Sequence, residues 1–330
     1  MISLKSVAKS WDEFWFSRFD PLNVSLYRIS TGLLLFVMFI ALYFNWYRFY
    51  GSDGMISLHD VDIAGKLADD IWSVFHWTEG IIPIQFFWYL GFISSFALTV
   101  GYHTRIATII LYVLVSSMVH RNNGIVNGDD LVLRMLLFYS CFLPMNHCLS
   151  VDSYLQKKFR GVNDIVPENE CPMLWPIRLI QINIALVYII SLPNKLADDV
   201  AWINGQAIYY TVTSNMWSMC PFPQLFYQWD YLLSKIATYG TVLIEGAFPI
   251  LVWFKETNLI VTLLIAMLHI GIAFMVPNVT FFTLAMVCSF WVFLPSDVIR
   301  ELYYSLKSGR IKTQLLAWCN NLVRHNNENK

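Results

Sequence analysis

Eight mostly apolar stretches alternate with polar joints along the chain, at about residues 22–46, 81–100, 105–119, 130–148, 176–192, 231–254, 259–276 and 280–294. A helix needs roughly 20 apolar residues to cross the hydrocarbon core of a bilayer. Without water in that core, only internal hydrogen bonds can satisfy the backbone, so such runs are helical. The pattern predicts an all-α fold: a polytopic membrane helix bundle of about eight transmembrane helices, with interfacial amphipathic helices beside them.

The joints carry their own signals. The short polar turn at 101–104 predicts a helical hairpin from the second and third runs. Residues 1–20 place Trp11, Phe14, Trp15 and Phe19 on a surface suited to the membrane interface. Residues 58–75, inside an acidic loop, have apolar positions at helical spacing and predict a surface helix. Residues 194–229 hold Tyr209, Tyr210, Trp217, Tyr227 and Trp229, so this loop is expected to lie against the membrane. The division that follows is a transmembrane domain over 1–295 and a basic cytoplasmic tail over 296–330. No cleavable signal peptide is expected; the first span would do the targeting.

Composition sharpens this. The chain is 57% hydrophobic and 14% charged, where a soluble domain carries about 25% charged residues. A net charge of −1 gives no reason to expect nucleic acid as a partner; the partner it implies is the lipid membrane. With eight spans and an inner N-terminus, fourteen of the 22 Lys and Arg fall on inner segments and five on outer ones. That asymmetry predicts a multi-pass protein of the inner or plasma membrane with both termini cytoplasmic. Asn127, Asp129, Asp130 and Lys195 then face outward. The six cysteines lack metal spacing; Cys141, Cys148 and Cys288 fit as small core residues.

Charged groups in apolar runs are the candidates for chemistry. Arg28 is near enough to a membrane face to snorkel. Asp130 and Arg134 are four apart on one helix face and can pair, which would be a structural role for both. Glu245 lies mid-span, and without a nearby cation it is expected to be neutral and hydrogen-bonded. His269 lies mid-span too, where a helix-to-helix hydrogen bond is the commoner role. Lys195 follows Pro193 and Asn194 where an apolar run meets a polar loop. It is either an interfacial anchor or, held dry, a neutral amine able to act as a base.

Four stretches together resemble the vitamin K-dependent γ-carboxylase-like family, also called the horizontally transferred transmembrane (HTTM) family. They are Leu26 to Leu33 with Tyr50 to Gly54; Asn127 to Asp130 running on through Phe142, Pro144 and Leu149 to Asp152; Asn194 to Leu196 with Trp202 to Gly205; and Glu245, Phe248 and Pro249 with His269 on the next run. The resemblance implies that Lys195 is the base that deprotonates a quinol. In the animal carboxylase, oxygen then converts the hydroquinone to a strong base that takes a proton from a glutamate side chain before CO2 adds. The implied catalytic set is Lys195, Asp129, Asp130 and Asn127, with His269 and Arg134 as cofactor contacts and a quinol as the cofactor. Asp129 stands where the carboxylase has a histidine, and its large extramembrane C-terminal region is lacking. Both departures argue against full carboxylation and leave a quinol-type or peptide substrate for a carboxylase-like, lyase-class membrane enzyme. The alternative is a non-catalytic accessory protein in maturation of a secreted peptide, partnered by that peptide or by a small membrane protein. A transporter is disfavoured, because no pair of broken helices occupies corresponding halves.

Overall fold

The computed structural model describes residues 4–57, 72–78, 83–125, 128–160, 173–198, 200–214 and 230–308. Its helices are α1 (Leu4–Phe16), α2 (Pro21–Leu42), α3 (Trp46–Tyr50), α4 (Ile84–Val100), α5 (Thr104–Arg121), α6 (Gly128–Ser140) and α7 (Val151–Arg160). They continue with α8 (Trp175–Asp198), α9 (Val200–Ile203), α10 (Ala207–Thr213), α11 (Asp230–Leu251), α12 (Lys255–Met275), α13 (Thr280–Ser289) and α14 (Ser296–Lys307). Among the described residues there is no strand, only an isolated bridge between Arg18 and Met173. The expected surface helix at 58–75 lies almost entirely outside the described residues, as do Trp217, Tyr227 and Trp229.

Each of the eight apolar runs contains a helix. Pro21–Tyr50, Trp175–Ala197 and Lys255–Met275 are each long and apolar enough to cross a membrane. Pro277–Val292 and Ser296–Lys307 make a fourth only if their 97° bend belongs to one span, and Ile84–Val100 is apolar but shorter. The fourth run shows why pattern and helix length differ. Its helix stops at Ser140, and 3₁₀-type bonds from Phe142 and Leu143 to the Tyr139 and Ser140 carbonyls turn the chain (both 3.1 Å). Pro144 follows, and the residue before a proline disfavours helix.

That early stop decides the fate of Arg28. The turning backbone passes beside α2, and the guanidinium is fully buried against it. Nη1 donates to the Met145 carbonyl at 3.3 Å and Nη2 to the Leu149 carbonyl at 2.6 Å. Arg28 therefore does not snorkel. The hairpin turn closes over it: Gly101 has φ +79°, and a Cβ there would lie 1.8 Å from Arg28 Nη1. Asp152 clamps the same turn, its carboxylate accepting from the His103 amide at 3.1 Å while its own amide donates to the Gly101 carbonyl at 3.2 Å. Arg28 and Asp152, from two of the stretches that carry the resemblance, are thus joined architecturally.

Arg121 does similar work near α3. It is fully buried, and Nη2 donates to the carbonyls of Gly51 at 2.5 Å and Ile56 at 2.9 Å. It holds the loop after α3 in place, so it is no exposed loop charge. The amphipathic lead-in is helical as expected. Phe14 in α1 lies under the Arg178 guanidinium of α8, 4.4 Å from its ring centroid, which fixes the lead-in to the start of α8.

Candidate functional site

Pro193 was expected to close the fifth run and leave Lys195 in a loop. Instead α8 continues through Pro193 to Asp198, and Lys195 sits in its last helical turns. A proline in a membrane helix frees one carbonyl, which neighbouring helices and local adjustment can satisfy. The facing helix α11 also carries an internal proline, Pro249. The two helices pack together, and Lys195 Nζ lies 2.5 Å from Glu245 Oε2. The lysine side chain is 25% exposed and the glutamate 7%. The condition for a neutral Glu245, the lack of a nearby cation, is not met. A pairing fifty residues apart in sequence decides it.

Trp202 in α9 covers the lysine, with Nζ 4.6 Å from the centre of its ring. The segment after Trp202 is tied to the helix that carries Glu245. Gly205 turns the chain with φ +73°, and its carbonyl accepts from Ser234 Oγ at 3.0 Å. The Tyr239 hydroxyl donates to the Ile203 carbonyl at 2.9 Å. Trp202, Ala207, Tyr210 and Thr211 also line a cavity of about 470 Å³. The indole thus contacts the lysine and also lines a space large enough for a small ligand.

Two turns before Lys195, on the same face of α8, lies Tyr188. Its hydroxyl meets His269 Nε2 of α12 at 2.7 Å, and both side chains are buried. Phe248 packs 5.1 Å from the tyrosine ring, and Phe290 and Phe282 lie 5.9 and 6.1 Å from the imidazole. His269 Nδ1 is buried and meets no hydrogen-bond partner among the described residues. Glu245 is close enough to Tyr188, and Lys195 to His269, for each pair to interact electrostatically. Helices α8, α11 and α12 thus assemble four polar groups within an aromatic shell. Tyr188 was not among the residues expected from sequence. Its seven-residue spacing from Lys195 was the available signal.

The other expected residues are less fully assembled. Gly128 at the start of α6 stands against Phe282, the ring beside His269, which brings that helix end toward the site. Asp130 is half-buried in the first turn of α6. Asp129 also lies in that turn, while Asn127 lies outside the described residues. Arg134 turns to α5, with Nη1 3.3 Å from His120 Nε2, and makes no hydrogen bond to the Lys195 pair. Among the described residues, no three His, Cys, Asp or Glu are placed to hold a metal ion.

These features define an all-α membrane protein with a partly buried lysine–carboxylate pair backed by a tyrosine–histidine pair. The chain belongs to the HTTM domain family, whose sequence model matches residues 16–297. The resemblance read from the sequence is borne out at that level. No curated protein and no solved structure matches the chain.

Proposed function

We propose that this chain is a multi-pass membrane enzyme in which Lys195 and Glu245 act together as a base on a quinol-type or peptide substrate. The observation that carries the reading is the 2.5 Å Lys195–Glu245 contact beside a Trp202-walled cavity. An ammonium alone is no base. In a pair with a carboxylate, the proton can pass to the carboxylate without leaving the protein, and desolvation disfavours the separated charges. Lys195 gives its proton to Glu245 and takes one from an acidic substrate hydroxyl. The proton ends on Glu245, and the substrate anion is left beside the Lys195 ammonium. The indole face of Trp202 holds Nζ in place through a cation–π contact. A quinol ring suits a cavity lined by the aromatic side chains of Trp202 and Tyr210.

The test uses the full chain in nanodiscs with a reduced naphthoquinone, following oxygen uptake, because a quinolate reacts with oxygen faster than the neutral quinol. The wild type is expected to raise the rate above that of empty nanodiscs, and Lys195→Met to return it to that background. A wild-type rate equal to the background would end the quinol reading.

The proposal places the pocket on the outer face with both termini in the cytoplasm, supported by the fourteen-to-five charge split. A reporter active only in the cytoplasm, fused after Lys330, is expected to be active. An inactive fusion with a working periplasm-type reporter at the same place would put the pocket on the wrong side.

A further inference from the structure

A second cavity lies at the other end of the bundle, roughly 30 Å from Lys195 by the length of α8. It is a groove of about 610 Å³ between the start of α2, α7 and α14. Its composition is two-sided. Lys157 of α7 and Arg300 and Lys307 of α14 supply three cations, and the tyrosines Tyr154, Tyr303 and Tyr304 supply hydroxyl donors. Leu22 and Val100 give it an apolar floor. Asp20 is the one acid among its described lining residues, and that carboxylate is already engaged. One oxygen caps α2 through the Leu22 amide at 2.8 Å, and the other pairs with Arg300 Nε. The balance of the lining is cationic.

The flanking helices are built for an interface. The bend of 97° after Val292 turns α14 across the bundle, where Ile299 is buried and the Arg300–Asp20 pair ties it to α2. Tyr304 remains 62% exposed, and Leu302 and Leu306 are exposed beside it. On α7, Phe159 is 76% exposed. Amphipathic helices with such apolar faces lie in the headgroup region of a bilayer.

We propose that this groove binds the headgroup of an anionic phospholipid, with the phosphate between Lys157 and Lys307. The cationic rim selects an anion. The apolar floor and the exposed apolar faces beside it select one that carries acyl chains, so a lipid and not a free phosphate is the occupant. Lysines near a membrane surface each strengthen attachment to anionic lipid by about fivefold. This site is independent of the Lys195 reading.

The experiment titrates purified full-length protein in uncharged detergent with dioctanoyl-phosphatidylglycerol, reading affinity from the shift in thermal unfolding. Dioctanoyl-phosphatidylcholine and glycerol phosphate are the comparison ligands. Phosphatidylglycerol is expected to bind, and the other two to bind at least tenfold more weakly. Lys157→Ala and Lys307→Ala should each weaken binding about fivefold, and together about thirtyfold. Lys158→Ala, a neighbour on α7 outside the groove lining, should leave it unchanged. Equal loss in Lys158→Ala would reduce the effect to general charge attraction and overturn the site. Equal binding of glycerol phosphate would overturn the lipid as occupant. Unchanged affinity in the double variant, with normal unfolding in the absence of lipid, would overturn both.

Discussion

Lys195→Arg is expected to reach the membrane in normal amounts and to lose quinol-dependent activity by about a hundredfold to ten-thousandfold. Arginine keeps the charge that Glu245 pairs with, and its planar guanidinium stacks well on an indole such as Trp202. Folding therefore has little reason to suffer. Arginine cannot pass a proton to a carboxylate near neutral pH, so the step that needs a transiently neutral amine is lost. Glu245→Gln makes a contrasting case. It removes the acceptor and also leaves a lysine ammonium that is only 25% exposed without its carboxylate. Breaking a fully buried pair costs about 3–5 kcal/mol, and partial exposure reduces this to about 1–2 kcal/mol. Its abundance in detergent extracts should fall, and Lys195→Met added to it should restore abundance without activity. Abundance by fluorescence-detected chromatography and oxygen uptake separate the two effects. Full activity in Lys195→Arg would reduce the lysine to an anchor, and the accessory-protein reading would take the place of the enzyme.

Gly101→Ala is expected to cost about 3–4 kcal/mol of stability. A left-handed conformation costs a residue with a Cβ about 1 kcal/mol or more. The larger part comes from Arg28. The added carbon would sit 1.8 Å from Nη1 and push the guanidinium off the Met145 carbonyl, and a hydrogen bond to a buried charged group is worth roughly 1.5–3 kcal/mol. Gly271→Ala is the control, because a Cβ there meets nothing within 4 Å. About one turn before the end of α12 it should be neutral or gain up to about 1 kcal/mol from helix propensity. Thermal unfolding in detergent should rank Gly271→Ala at or above wild type and Gly101→Ala far below both. Equal midpoints for the two variants would mean that Arg28 has room to move, and the steric account of the hairpin turn would fail.

The reach of the sequence can be judged from these same residues. The apolar runs located the helices, because period and length report burial along a single segment. Gly101 marked a tight turn, which the left-handed geometry there requires. Local signals also misled. Pro193 read as a helix end, yet α8 runs on to Asp198, since packing against α9 and α11 outweighs one lost hydrogen bond. Arg28 read as a snorkelling side chain, because its depth was legible but the carbonyls of Met145 and Leu149 were not.

What the sequence determined by itself was the all-helical membrane class, the order of the helices, the family, and the presence of Lys195, Glu245 and His269 in or beside apolar runs. Each follows from apolar periodicity, from the cost of polar groups in lipid, or from motifs that stay linear along the chain. What the tertiary structure alone decided was the pairing: Lys195 with Glu245, Tyr188 with His269, Arg134 with His120, and Arg28 with the turn after α6. Side-chain spacing along one helix fixes neighbours three, four or seven residues apart. Partners on different helices are fixed by which faces pack and how far each helix extends, and no local pattern in this chain records that.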